Sequence, residues 1–173
     1  MVGLLHEGSR VTTSTVGVTG HSNLAPACLP VVAAELGAAL RELGAASGAL
    51  TGVSCLAPGA DQVFARVLLE LGGRLEVVLP ALDYRDRLAP EHVADFDALR
   101  AAASAVTVLP FARSGRRAYV AANQRVLDRV DHLVAVWDGQ PAGGAGGTGD
   151  VVARARAAGL PVRVVWPAGA ARD

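Results

Sequence analysis

Short apolar runs alternate along this chain with longer stretches in which apolar positions recur every three to four residues. The runs are 15–18, 50–56, 75–79, 105–109, 132–136 and 162–165, each rich in Val or Leu and without regular polar alternation. Strands buried on both faces read this way, because both sides of the pleat must be apolar. Helical spacing covers 29–43, 62–71, 90–103, 117–129 and 149–158. Gly44, Gly72 and Gly159 each follow one of these segments, where glycine closes a helix in the left-handed conformation.

Alternation of this kind builds βα units that close a parallel sheet. The expectation is one α/β domain over residues 1–173, Rossmann-like and three-layered. It has a mainly parallel sheet of about six strands, helices on both faces, and an irregular segment at 1–14. No internal repeat or linker interrupts it. Segments 29–43 and 62–71 carry few charges, so they must cover apolar surface on the sheet or on a second subunit, and a homodimer is expected.

Composition narrows the class. The chain of 173 residues is 51% hydrophobic with a formal charge of zero, which excludes disorder and a strongly basic nucleic-acid surface. Every cation is an arginine, because the sequence has no lysine. Cys28 and Cys55 lie far apart, and His6, His21, His92 and His132 form no close pair, so neither a disulfide nor a metal site is expected. Residues 1–15 lack a basic start followed by an apolar stretch, and no apolar run approaches the roughly 20 residues of a membrane span. A cytoplasmic protein is expected.

Candidate chemistry follows the strands. In an open parallel sheet the ligand crevice lies beyond the carboxyl ends of the strands. Thr19, Gly20 and His21 follow the first run; Pro58, Gly59, Ala60, Asp61 and Gln62 follow the second. Trp137, Asp138 and Gly139 follow the fifth and lead into GGAGGTGD, with Gly146, Gly147 and Thr148 opening the last helix. Glycines let backbone amides approach a phosphate, and a helix start adds free N–H groups and a positive dipole end. The alternative is a glycine-rich surface loop, and a P-loop is excluded because it needs a lysine. Asp61 either caps its helix or contacts a ribose or base. His21 is either a site residue titrating near neutrality or an ordinary side chain at a helix start.

Arg113, Arg116 and Arg117 surround a Ser-Gly turn at the same edge, where they reach an anion or stay solvated. Asn123, on the helix with Arg117 and Tyr119, offers an amide for a ligand or a tertiary bond. Segment 83–96 inserts charge, a Tyr and a Phe after the third strand, as a lid or as a solvated helix with a surface turn.

GVTGH, LAPGADQ and VAVWDGQPAGGAGGTGDVVARARAAGLPV, taken in that order, resemble the SLOG superfamily of Rossmann-like proteins. That group includes the lonely-guy phosphoribohydrolases, once described as lysine decarboxylases, and DNA-processing protein A. The resemblance implies a nucleotide or nucleotide-derived ligand at Thr19, Gly20, Gly59, Asp61, Asp138, Gly146, Gly147 and Thr148, with no separate cofactor. The lonely-guy motif P-G-G-x-G-T-x-x-E places a glutamate where this chain has Val151. Splitting an N-glycosidic bond passes through an oxocarbenium-like state that needs a carboxylate. Asp150, Asp138 or Asp61 is the substitute carboxylate in that case, with Arg117 on the phosphate, and Asp150 is equally a favourable charge at a helix start.

Three readings follow: a nucleotide-binding or sensor protein, a nucleoside-monophosphate phosphoribohydrolase, and a single-stranded DNA binder. Neutral charge and few aromatic residues argue against the third, so nucleic acid is not an expected partner.

Overall fold

A computed structural model describes residues 13–173 of the chain. Most of the segment read as irregular, and of the stretch scanned for a leader, lies outside the described residues. The chain runs β1 (Ser14–Gly20), α1 (Leu29–Glu42), β2 (Leu50–Ser54), α2 (Ala60–Glu70), β3 (Arg74–Leu79), α3 (Pro90–Ala102), β4 (Ala105–Val108), α4 (Arg116–Leu127), β5 (His132–Val136), α5 (Thr148–Ala157) and β6 (Val162–Val165). Short 3₁₀ turns occupy Pro26–Cys28, Ala45–Ser47 and Arg85–Arg87. Gly44, Gly72 and Gly159 all take positive φ, as expected of residues that end helices.

All six strands are parallel in the order β4-β3-β2-β1-β5-β6. The sheet grows from β1 outward to β4, and α4 then carries the chain back so that β5 and β6 extend the other side of β1. The order therefore reverses between β1 and β5, the switch point at which such sheets open a crevice.

Alternate residues of the strands feed two apolar layers. Val16, Val18, Val77, Leu79, Val134 and Val136 pack beneath α1, α2 and α3, around Leu36, Leu40, Phe64, Leu68 and Phe96. On the opposite face Val53 and Val78 meet Ala122 and Val126 of α4, and Leu133 meets Val151 and Ala155 of α5. The lightly charged helices α1 and α2 are accounted for here, since their apolar faces cover the sheet and each other. Among the described residues no helix is long and apolar enough to cross a membrane.

Two strand ends differ from the sequence reading by two residues each. β1 continues through Thr19 and Gly20, which pair with Ala135 and Val136 of β5 rather than entering a loop. β2 stops at Ser54, because Leu56 adopts φ 54°, a left-handed conformation unusual for a side-chain-bearing residue. The fully buried Leu56 is held there from both sides. Its N–H donates to Ser54 Oγ at 3.0 Å and its carbonyl accepts from Gln62 Nε2 at 3.3 Å.

Candidate functional site

The GVTGH and GAD segments interlock. Ala60 N–H donates to the His21 carbonyl at 3.2 Å, drawing the start of α2 against the end of β1. A Cβ on Gly20 would collide with Cβ of Ala60, and one on Gly59 would lie 2.6 Å from the His21 carbonyl oxygen. Gly59 also takes φ 73°. Both glycines and the small Ala60 are thus required by the close approach of two elements. Gly59, Ala60 and Gln62 do not line the cavity described next; they shape its floor.

That cavity, of about 700 Å³, opens at the switch point beyond β1 and β5. Thr19, Gly20, His21, Asp61, Asn123, Gly146, Gly147 and Thr148 line it, so eight of the residues singled out in the sequence share one space. The 83–96 segment supplies another wall through Tyr84, Arg87 and His92. It is anchored: Asp83 Oδ1 accepts from Ser114 N at 2.6 Å and Ser114 Oγ at 2.7 Å, and Arg85 forks onto Asp97. Cys55, Tyr119, Gln140 and Arg172 also line it.

Asp61 is the single carboxylate among the described lining residues. It lies in the first turn of α2, yet its side chain turns back to β2 instead of capping the helix, accepting from Ser54 Oγ and Cys55 N at 3.1 Å each. Burial pushes its carboxyl up to about 6, and the hydrogen bonds from Ser54, Cys55 and Ala57 only partly oppose this. Burial likewise pushes the Cys55 thiol up, so Cys55 lines the cavity as a neutral thiol.

His21 and Asp138 form a pair at the rim. His21 Nε2 lies 3.0 Å from Asp138 Oδ1 and 3.2 Å from Asp138 N, and its ring meets Trp166 edge-on at 5.6 Å. Burial holds the imidazole below its usual 6.5, against the raising effect of its bond to Asp138. Asp138 Oδ2 accepts from Arg172 Nη1 and Oδ1 from Gln140 N, both at 3.0 Å. Burial opposes ionisation of Asp138, but bonds from Gln140, Arg172 and His21 outweigh it and bring the carboxyl down to about 2. Neither Asp138 nor Gly139 lines the cavity.

The glycine-rich loop is closed by its own contacts. Gly146 N–H donates to Asp150 Oδ2 at 2.8 Å, Gly147 N–H to the Gly144 carbonyl at 3.3 Å, and the Gly146 carbonyl accepts from Asn123 Nδ2 at 3.2 Å. The Gly146 and Gly147 amides are therefore engaged. Those of Thr148, Gly149 and Asp150, the first turn of α5, have no acceptor among the described residues. Asp150 also binds Arg154 Nε at 3.1 Å and does not line the cavity. Arg117 is exposed and outside the cavity. Arg116 is the arginine that approaches the loop, its Nη2 lying 3.7 Å from where a Cβ on Gly144 would stand.

Several lining residues carry no local sequence signal. Arg172 reaches the site because the C-terminal segment folds back on the β1–α1 connection, through Ala25 N to the Ala171 carbonyl at 2.9 Å and a Leu24–Arg172 bridge. Tyr84 and Arg87 precede the helical spacing that begins at 90, and His92 lies in its first turn with nothing local to mark it. Among the described residues no group of His, Cys, Asp and Glu could hold a metal ion.

No family model matches the sequence, and no curated protein matches it. Solved structures do. DNA processing protein A from Streptococcus pneumoniae superposes on 89% of this chain with a TM-score of 0.63 at 18% identity. DNA processing protein A from Helicobacter pylori, which has a single-stranded DNA binding mode, superposes on 91% with a TM-score of 0.61 at 16% identity. The protein TM1055 superposes on 86% with a TM-score of 0.54 at 19% identity. The chain has the fold of these proteins. The SLOG resemblance read in the sequence holds at that level. This chain spans 50% of the first protein's length and 68% of the second's. The expectation that nucleic acid is not a partner gains no support here, since two of the three are DNA-processing proteins.

Proposed function

We propose that the crevice binds a nucleotide or nucleotide-derived ligand without turning it over. The observation that carries this reading is one cavity whose wall combines Thr148 and Gly149, whose amides are free at the start of α5, with the buried carboxyl of Asp61. The amides, at the positive end of a helix, suit a phosphate. Asp61 suits the hydroxyl or N–H donors of a ribose or base. A volume of about 700 Å³ accommodates a ligand of that size. Arg87 and Arg172 line the same space and add positive charge.

Binding without hydrolysis is favoured by where the carboxylates are. Asp150 is committed to Gly146 and Arg154, and Asp138 to His21, Gln140 and Arg172, so neither stands free to stabilise an oxocarbenium ion, while Asp61, the carboxylate inside the cavity, is bonded to Ser54 and Cys55 and pushed by burial toward its neutral form. Val151, where the phosphoribohydrolase motif has glutamate, is buried.

Incubation with a panel of nucleoside monophosphates tests the reading, followed by thermal shift and by chromatography of the products. A ligand at a hundred times its Kd adds about 2.7 kcal/mol and moves the melting temperature by several degrees. That shift with no free base is the expected result. Release of base and ribose phosphate overturns binding without turnover, and no shift across the panel overturns the site.

A second reading, single-stranded DNA binding, is favoured by Arg113, Arg116 and Arg117. All three are exposed around the β4–α4 turn, at the carboxyl edge of the sheet, with no ion-pair partner among the described residues.

A further inference from the structure

Tyr84 is a buried tyrosine whose hydroxyl the fold does not use. The residue is 6% exposed and lines the cavity, yet its oxygen makes no hydrogen bond among the described residues. No buried polar side-chain atom among them is sealed without a partner, so this oxygen opens into the cavity. A buried phenol ordinarily finds a partner, because a buried polar group without one destabilises the fold.

The ring is fixed in place. It meets Phe96 edge-on at 6.0 Å and Tyr119 at 6.4 Å, and the Tyr84 N–H donates to the Ala81 carbonyl at 3.3 Å. Burial raises the phenol, and Asp61, Cys55 and Tyr119 nearby raise it further, so Tyr84 stays neutral, able to donate and to accept. The Asp61 carboxyl beside it has capacity left, since Ser54 and Cys55 both bind Oδ2 and a carboxylate offers about four acceptor positions. The flanking surface is apolar and aromatic. Pro80 follows β3, Leu88 packs on the same core layer as Tyr84, and Tyr119, 40% exposed, lines the cavity against the Tyr84 ring.

Helix α4 ties this end of the cavity to the other. Tyr119 and Asn123 stand one turn apart, about 6 Å along the axis. Tyr119 packs on Tyr84, and Asn123 holds the Gly146 carbonyl just before α5. One small ligand can therefore reach both ends. Given the nucleotide reading of the crevice, on which this rests, we propose that Tyr84 reads the base: its hydroxyl and the Asp61 carboxyl hydrogen-bond the edge of a nucleobase whose face lies against Tyr119. A base edge sets an N–H or amino donor beside a ring nitrogen or carbonyl acceptor, so it gives a hydrogen to Asp61 and takes one from Tyr84. A flat apolar wall with two convergent polar groups suits such a base better than a sugar, whose hydroxyls need partners on several sides. The phosphate then falls to α5.

Calorimetry on the full chain tests this with the monophosphates of adenosine, guanosine, cytidine and uridine, and with ribose 5-phosphate as the probe that has no base. Tyr84→Phe removes only the hydroxyl. It is expected to weaken the tightest monophosphate about tenfold, to narrow the spread among the four, and to leave ribose 5-phosphate unchanged. Its ligand-free melting temperature should equal or exceed that of the wild type, because no bond of the fold is lost. A variant that binds the tightest monophosphate as well as the wild type overturns the role of Tyr84 and leaves the nucleotide reading standing. Equal losses for monophosphate and ribose 5-phosphate, or a lower ligand-free melting temperature, overturn it as well, since the hydroxyl then serves the phosphate or the fold. A wild type that binds none of the four overturns both.

Discussion

At the scale of single residues, the floor of the cavity holds a group that works against the fold. The carboxyl of Asp61 sits at about 6 in the native protein and at 3.8 when exposed, so the folded chain holds this proton more tightly. A raised carboxyl pKa means that stability falls as pH rises from 3.8 through about 6, then levels off. Two pKa units correspond to at most about 3 kcal/mol. Asp61→Asn keeps an acceptor for Ser54 and Cys55 without the charge, and should gain about 1–3 kcal/mol at neutral pH. Urea melts of both proteins across that range check this; a wild type whose stability does not fall would refute the assignment. The same variant should bind nucleotide more weakly, because a group that costs stability in a cavity wall is retained for what it contacts. His21 has the opposite sign: burial lowers it, so its contribution is complete above 6.5 and is lost as pH falls below. Arg172 lowers this imidazole further and Asp138 raises it. In NMR titrations, Arg172→Ala should therefore move His21 up and Asp138→Asn should move it down.

At the scale of elements, the loop before α5 is held in shape by side chains from two helices. Asn123→Ala removes the bond from α4 to the Gly146 carbonyl, at a cost of about 1 kcal/mol. If α5 receives a phosphate, calorimetry should show this variant losing affinity for a nucleoside monophosphate and little for the free nucleoside. The elements themselves were legible because buried parallel strands leave unbroken Val and Leu runs, and all six were found in place. Their ends were less so. β2 stops early through the left-handed Leu56, whose supports, Ser54 and Gln62, have no spacing that announces them. The glycine signals marked the right region for a reason only partly foreseen, since Gly20 and Gly59 serve the contact between β1 and α2. Arg172 was invisible because its partner Asp138 lies 34 residues away and the segment between carries no periodic pattern that would bring them together.

At the scale of the whole molecule, a formal charge of zero leaves no diffuse field to hold nucleic acid, so such binding needs a local cluster of the kind Arg113, Arg116 and Arg117 supply. Three neutralised phosphates on a single strand give a salt slope of about −2, a loss of roughly twentyfold between 50 and 200 mM salt. Replacing the three arginines with glutamine should abolish that dependence and leave nucleoside-monophosphate affinity unchanged, because none of the three lines the cavity. Fluorescence anisotropy with a labelled oligonucleotide and calorimetry with the monophosphate separate the two sites. A slope steeper than three contacts allow would place DNA on a larger surface. Loss of monophosphate binding in the triple variant would instead mean that rim and cavity form one extended site, with the nucleotide occupying the position of one unit of a strand.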